Sequence, residues 1–193
     1  AICSHGHTIL HQPQNGFTLQ IGNLPILQKL ITHTIVCDFR VQDVQLGGQG
    51  APLVPIGDML LFSDYDYCLN LGGFSNISFE DKGKRIAFDI SPVNTVLNFY
   101  SNTLGFEYDD KGEIAKSGKL DLELFDKLNK LEFYNLSYPK SLGIEFVNEI
   151  LFPIIESYKI SEKDKLNTFV EHIAFQISKV IIREETSLFI SGG

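Results

Sequence analysis

Residues 17–21 (FTLQI) alternate apolar and polar side chains, the period of a half-buried strand. The run LPILQKLITH (24–33) has the apolar spacing of a short helix, and TIVCDF (34–39) reads as the strand that follows it. The chain from Gly47 to Pro52 then predicts a loop, and PLVPIGDMLLF (52–62) a helix. YCLNL (67–71) predicts a strand ending at Gly72-Gly73, FSNISFE (74–80) its hairpin partner, and RIAFDI (85–90) a third strand after the turn DKGK. Sequential strands with short turns imply an antiparallel or mixed sheet.

From Pro92 onward helical periods dominate. In SPVNTVLNFYSNTLG, Ser91 suits an N-cap, Pro92 the first helical position and Gly105 the stop. KLDLELFDKLNKL (119–131) is amphipathic, and Pro153 is expected to interrupt the helix in GIEFVNEILFPIIESY (143–158). Ser161 with Asp164 resembles a capping box opening a long helix to about Arg183, and SLFISGG (187–193) is a further strand. Both ends of the chain read as cut within structure: it opens on AICSHG, the end of a strand, and closes on a strand reaching a glycine turn. The compositional seam near residues 55–66 divides a first domain, 1–60, from a second, 61–193.

Composition narrows the function. An apolar content of 44% in 193 residues is that of a globular chain with a proper core. Sixteen Lys plus Arg against 24 Asp plus Glu leave a net charge of -8 and no basic stripe, which argues against nucleic acid. No apolar run reaches the roughly 18–20 residues of a bilayer span, and the N-terminus has no signal-peptide pattern. Cys3, Cys37 and Cys68 form no C-x-x-C pair and read as buried reduced thiols. The expected location is the cytoplasm, without membrane attachment.

Candidate chemistry concentrates in DFRVQDVQLGGQGAPLVP (38–55). Gly47, Gly48 and Gly50 suit either a tight turn between packed elements or close backbone approach to a ligand, with Pro52 and Pro55 stiffening the exit. Strand–Gly–Gly recurs at Gly72-Gly73 and Gly192-Gly193, where glycines at strand ends can present N–H groups to one anion. Neither is a Walker loop, and no G-x-G-x-x-G opens a helix. Candidate bases are Asp38, Asp43 and Asp89. Asp89, ending a strand before a helix, is placed either to act as a base or to cap that helix. An ordinary Asp, with a pKa of about 3.9, would act through position. Asp38 and Arg40, two apart on a strand, would share a face and form an ion pair. His5, His7 and His11 raise zinc, with His5 and His7 on one strand face, but no fourth ligand at a recognised spacing accompanies them.

The blocks SHGHTILHQP (4–13), FTLQIGN (17–23), DFRVQDVQLGGQGAPLVP (38–55), LNLGGFSNIS (69–78), FDISPVN (88–94) and PKSLG (139–143) together resemble the anhydro-N-acetylmuramic acid kinases, in order and spacing, over essentially the whole chain. The resemblance implies an α/β fold of the actin-like ATPase (ribonuclease H-like) type, with two domains around a cleft where MgATP and sugar meet. It implies a kinase that opens the anhydro bridge of 1,6-anhydro-N-acetylmuramic acid with water and phosphorylates O6, giving N-acetylmuramic acid 6-phosphate for peptidoglycan recycling. Homodimers are common in such a family.

Residue by residue, the resemblance makes Asp89 the base that deprotonates the attacking water. It places His5, Asp38, Arg40, Gly47, Gly48 and Gly50 on the sugar side, and Gly72, Gly73, Asn76, Gly192 and Gly193 on the phosphate side. There are departures. Ile90 and Ser91 follow Asp89 where the family has Thr-Gly, and Val93 replaces a glycine, putting more side chain near the water. His7 replaces Gln, and Leu142 and Ile144 stand where Thr and Arg are frequent. The family's GTSxDGxD block does not occur in these residues, which predicts little or no turnover by this chain alone. The alternatives are a sugar-binding module of the same fold without catalysis, and a metal hydrolase built on His5, His7 and His11.

Overall fold

A computed structural model describes residues 1–12, 15–23, 25–48, 50–51 and 53–192. The chain is mixed α/β and divides into two compact units, Ala1–Ile56 and a second beginning at Gly57.

In the first unit, β1 (Ile2–Ser4) pairs in parallel with β4 (Ile35–Cys37), and β2 (His7–Gln12) pairs antiparallel with β3 (Phe17–Ile21). A short helix, α1 (Ile26–Leu30), precedes β4. The alternation in β3 makes a strand, but the buried face is the polar one. Thr18 and Gln20 are inside, whereas Phe17, Leu19 and Ile21 are exposed. The inward side chains are bonded, Thr18 to His11 and Gln20 to the His5 carbonyl and Thr8, and α2 (Phe39–Gln45) also contacts β3. Helix α2 also replaces the end of the expected strand 34–39. Asp38 turns the chain at φ 71° and Arg40 lies in the first helical turn, so the two do not share a strand face.

The chain passes through α3 (Pro55–Leu61), which spans the boundary, into the second unit, a four-stranded mixed sheet of order β7-β6-β5-β8 with its helices. Its strands are β5 (Tyr67–Leu71), β6 (Phe74–Asp81), β7 (Lys84–Pro92) and β8 (Leu188–Gly192). The first three are antiparallel in sequence order, and β8 joins β5 in parallel. Strand β7 runs on through Pro92, so Ser91 does not cap a helix and Pro92 does not begin one. α4 (Asn94–Thr103) starts two residues later and stops before Gly105.

Between β7 and β8 lie α4, α5 (Glu113–Lys116), α6 (Leu122–Asn129), α7 (Ile144–Phe146), a π-helical turn (Val147–Leu151), α8 (Phe152–Ser157) and α9 (Glu162–Val180). The helix is irregular at Pro153, as expected: the turn before it takes the π form, and Pro153 lies in the first turn of α8, where its lack of an N–H is tolerated. Tyr100, Leu124, Leu128, Leu151 and Phe169 are completely buried in the helical core. Burying each such Leu or Phe contributes about 1.5–3 kcal/mol. A second cluster, Tyr67, Leu69, Ile77, Phe88 and Ile90, lies on the sheet face touched by the C-terminal part of α9. That helix ends at Val180, short of Arg183.

The capping box forms at the start of α9, where Ser161 Oγ accepts from the Asp164 N–H at 3.2 Å. Ser161→Ala is expected to cost about 1 kcal/mol, read as a lowered midpoint in urea denaturation. Within the helical core, His172 is fully buried with Nδ1 2.7 Å from Asn129 Oδ1 and Nε2 2.9 Å from Tyr134 Oη. Asn129 Oδ1 also accepts from Gln176 Nε2, so Nδ1 of His172 carries the proton and Nε2 accepts from the tyrosine. Burial holds this imidazole down at a pKa of about 3.

The three cysteines are unpaired, but only Cys68 is buried; Cys3 is exposed and Cys37 intermediate. Among the described residues, no helix is long and apolar enough to cross a membrane.

Candidate functional site

The candidate residues fall into two groups, one in each unit. In the first, His5 sits in the link between β1 and β2, outside either strand, so His5 and His7 share no strand face. Among the described residues, no group of three or more His, Cys, Asp or Glu is placed to hold a metal ion. The Nη2 of Arg40 lies 3.4 Å from His5 Nε2, and its Nη1 donates to the Gly50 carbonyl at 2.7 Å. Asp38 accepts from Asn23 Nδ2 at 3.1 Å, and the same nitrogen reaches Gln20 Oε1 at 3.4 Å. Gln20 in turn donates to the His5 carbonyl at 3.2 Å. Among the described residues no ion pair joins Asp38 to Arg40; each is held instead by uncharged partners. The result is a polar floor in which His5, Asp38, Arg40 and Gly50 converge. Asn23 Oδ1 and Arg40 Nε are buried there with no partner among the described residues. Buried polar atoms of that kind call for a partner.

The glycines of the 46–50 loop serve close packing as well as turning. Gly50 has φ 67°, and a Cβ there would come within 2.6 Å of Val44 Cγ2 and 2.9 Å of Arg40 Cγ. Its N–H donates to Asp43 Oδ2 at 2.6 Å, while the Gly48 N–H donates to the Asp43 carbonyl at 2.8 Å. Gly47 turns at φ 89°, and a Cβ on Gly48 would strike the Asp43 carboxylate. Asp43, a candidate base by sequence, is therefore the clamp that folds the loop back on α2. Asp43→Ala is expected to speed hydrogen exchange of the Gly50 amide about tenfold or more, since a hydrogen bond to a charged acceptor is worth about 1.5–3 kcal/mol. An unchanged rate would dismiss the clamp. Pro52 lies outside the described residues.

In the second unit, Asp89 is inside β7 and not at its end, and it caps no helix. Its Oδ2 accepts from the Leu142 N–H at 2.8 Å, and its own N–H donates to the Lys140 carbonyl at 3.1 Å. Burial pushes its carboxyl above the ordinary carboxylate range, and the Leu142 N–H draws it partly back. Across the sheet Asp89 pairs with Asn76, and Asn76 with Asn70, so the three side chains share one face. Between Asn76 and Ser75 the register slips, leaving Ile90 as the extra residue of a β-bulge. Ile90, Ser91 and Val93 are all buried, Ser91 against the Ser75 hydroxyl at 3.1 Å. The side chains expected to crowd the water near Asp89 are packed into the interior instead. Leu142, which departs from the usual Thr, serves Asp89 through its backbone.

The two glycine turns lie side by side. Leu71, the last residue of β5, pairs with Gly192 in β8, placing Gly72 and Gly192 at neighbouring ends of parallel strands. Gly192 has φ 106°, and a Cβ would lie 2.6 Å from the Leu71 carbonyl, so only glycine fits. The carbonyls of Gly72 and Gly73 accept from the N–H groups of Asn94, Val93 and Thr95. That turn thus satisfies the start of α4, a use of its glycines that the anion reading did not foresee. Gly193 lies outside the described residues.

Gln20, Asn23, Asn70 and the 140–142 backbone that holds Asp89 lie in blocks that carry the family resemblance, but the sequence did not single them out as site residues. For Gln20 the hint was a polar residue in a strict alternation; for the others the contacts are long-range.

A mixed sheet that holds a partly buried, hydrogen-bonded carboxylate and two adjoining glycine turns marks a mixed α/β protein with a candidate site at its strands. Comparison with known proteins places it further: the family model for anhydro-N-acetylmuramic acid kinase matches residues 1–193. The chain belongs to that family. An anhydro-N-acetylmuramic acid kinase of Pseudomonas syringae pv. syringae is 39% identical over 185 residues, covering 92% of this chain and 51% of the relative. One from Pseudomonas fluorescens is 44% identical over 153 residues, with coverage of 77% and 42%. One from Shewanella loihica is 36% identical over 205 residues, with coverage of 100% and 56%. The chain spans about half the length of these curated relatives.

Proposed function

We propose that the chain serves an ATP-dependent kinase acting on 1,6-anhydro-N-acetylmuramic acid, with Asp89 as its general base. The observation that carries this reading is the Asp89 carboxyl, partly buried, raised in pKa and fixed by the Leu142 N–H. A raised pKa makes a carboxylate a better proton acceptor near neutral pH, and a fixed one needs no reorganisation. In the proposed reaction Asp89 takes a proton from water as its oxygen bonds to the anomeric carbon and the bond from that carbon to O6 breaks. O6 then bonds to the γ-phosphorus of ATP, and ADP leaves. Positioning and charge neutralisation dominate such a transfer.

His5, Asp38 and Arg40 suit the sugar, because their polar floor offers donors and acceptors, including the two orphaned atoms, to hydroxyl and amide groups. For ATP, the glycines at the ends of β5 and β8 leave strand termini free of side chains, which close approach of phosphates requires. Asn76, beside Asp89, is assigned to the same side. Mg2+ fits as a companion of the nucleotide, since phosphates supply most of its oxygen ligands and few protein carboxylates are needed. The sheet, three antiparallel strands followed after a helical stretch by a parallel fourth, supports assigning the second unit to the actin-like ATPase fold.

The test is product mass spectrometry in heavy-oxygen water with MgATP and the anhydro sugar. It is run on this chain and on a chimaera in which these residues replace the matching half of the Pseudomonas syringae relative. A phosphorylated sugar carrying one heavy oxygen from the chimaera supports the proposal. Sugar binding without phosphorylation in an otherwise folded chimaera would favour a binding module instead.

A further inference from the structure

The second unit contains a cavity of about 410 Å3 that the proposed reaction does not use. It lies on the sheet face opposite the Asp89 side chain, at the C-terminal end of α9. Its apolar walls are aromatic: Tyr67, Phe79 and Phe88 from the sheet, and Tyr138 from the segment after α6. Phe88 and Tyr138 lie nearly parallel, 8° apart with centroids at 5.4 Å, and Phe79 meets Tyr138 edge-on at 6.4 Å. Flat walls of this kind favour a flat guest.

Three cations line the same cavity, Lys140, Lys179 and Arg183, against one acid, Asp81. Among the described residues, the ion pairs engage Arg85, Lys116, Lys130 and Lys165 and none of these three, although Arg183 also donates to the Glu80 carbonyl at 3.4 Å and its charge acts on Asp66. In a chain with 24 acidic residues, 16 basic ones and a net charge of -8, three cations against a single acid around one cavity reverse the overall charge balance. Lys140 is the most enclosed. Its Nζ donates to the Phe133 carbonyl at 3.2 Å and stands 4.6 Å above the Phe133 ring and 5.9 Å from that of Phe88. Burial and the charge of Lys179 both lower its pKa, a cost that a bound anion would relieve. Arg183 stands over the Tyr67 ring at 5.9 Å.

We propose that this cavity is a binding site for a small planar aromatic anion, its ring lying among Tyr67, Phe79, Phe88 and Tyr138 and its charge met by Lys140 and Lys179. A volume of about 410 Å3 is within the range of about 300–1,000 Å3 usual for small-molecule sites. Its lining includes none of the residues of the polar floor or of the glycine turns at the ends of β5 and β8.

The test titrates the 193-residue chain with 2-naphthoate and, separately, with the cation 2-naphthylmethylammonium, by calorimetry and amide chemical shifts. Saturable naphthoate binding at or below about 1 mM is expected, with shifts centred on Tyr138 and Lys140 and at least tenfold weaker binding of the cation. Lys140→Met and the surface variant Lys179→Met should each weaken naphthoate about fivefold or more without lowering the melting temperature. Equal affinity for the two probes, shifts centred elsewhere, or undiminished binding by both variants would overturn the proposal. So would the absence of saturation.

Discussion

Asp89→Asn is expected to lower formation of phosphorylated sugar by the chimaera about 10³-fold while leaving the melting temperature unchanged or higher. The first half follows from the role proposed for the carboxylate, since a positioned general base contributes roughly 10²–10⁴ to rate. The second half follows from its environment. The folded state holds the Asp89 proton more tightly than the unfolded chain does, because burial raises its pKa. At neutral pH the ionised group therefore works against folding. Asn keeps the shape and can still accept from the Leu142 N–H while carrying no charge. A structural aspartate would behave differently, losing stability with activity. The same shift sets the pH profile of the wild-type sequence: the acid limb of kcat/KM should fall above the pH of about 3.9 at which an ordinary Asp titrates. Product formation at near wild-type rate by Asp89→Asn, or a falling melting temperature, would remove Asp89 from this role.

The second large effect is on acid stability and comes from His172. Its folded pKa is depressed to about 3, whereas an unfolded histidine titrates near 6.5. Above about pH 6.5 neither state binds the proton, and stability is unaffected. Below it the unfolded chain gains a proton that the folded one refuses, so stability falls by about 1.4 kcal/mol per pH unit, or about 3 kcal/mol between pH 6.5 and 4. The carboxylates held low by hydrogen bonds, Asp66, Glu156 and Asp164, lose their contributions only at lower pH, from about 4 downward. His172→Gln retains one donor for Asn129 and one acceptor for Tyr134 but does not titrate. Urea denaturation from pH 7.5 to 4 should show the wild-type curve falling away from the variant below about pH 6.5. Parallel curves would mean that His172 is not the source.

Much of the second unit was legible because its signals are local. The short apolar strand runs YCLNL and FSNISFE, set apart by the Gly72-Gly73 turn, mark β5 and β6, and the box of Ser161 and Asp164 marks the start of α9. The π turn before Pro153 was not legible, because whether a proline breaks or widens a helix depends on what packs around it. In the candidate site, the residue types were readable and their partners were not. Asp38 and Arg40 look like an ion pair on a strand, yet a turn at Asp38 sends one to Asn23 and the other to Gly50 and His5. Asp43 reads as a spare base and is a loop clamp.

By itself, the sequence determined the family and most of the strands and helices of the second unit, since periodicity, caps and glycine positions act over a few residues. Only the tertiary structure decided which face of β3 is buried, how Asp89 is held and where the unpaired lysines gather. The N–H on Asp89 comes from Leu142, 53 residues away. The polar face of β3 is inside, where Gln20 bonds to the His5 carbonyl and to Thr8. Burial and hydrogen bonding are set by partners distant in the chain, and it is these that shift a pKa or leave a charge unpaired.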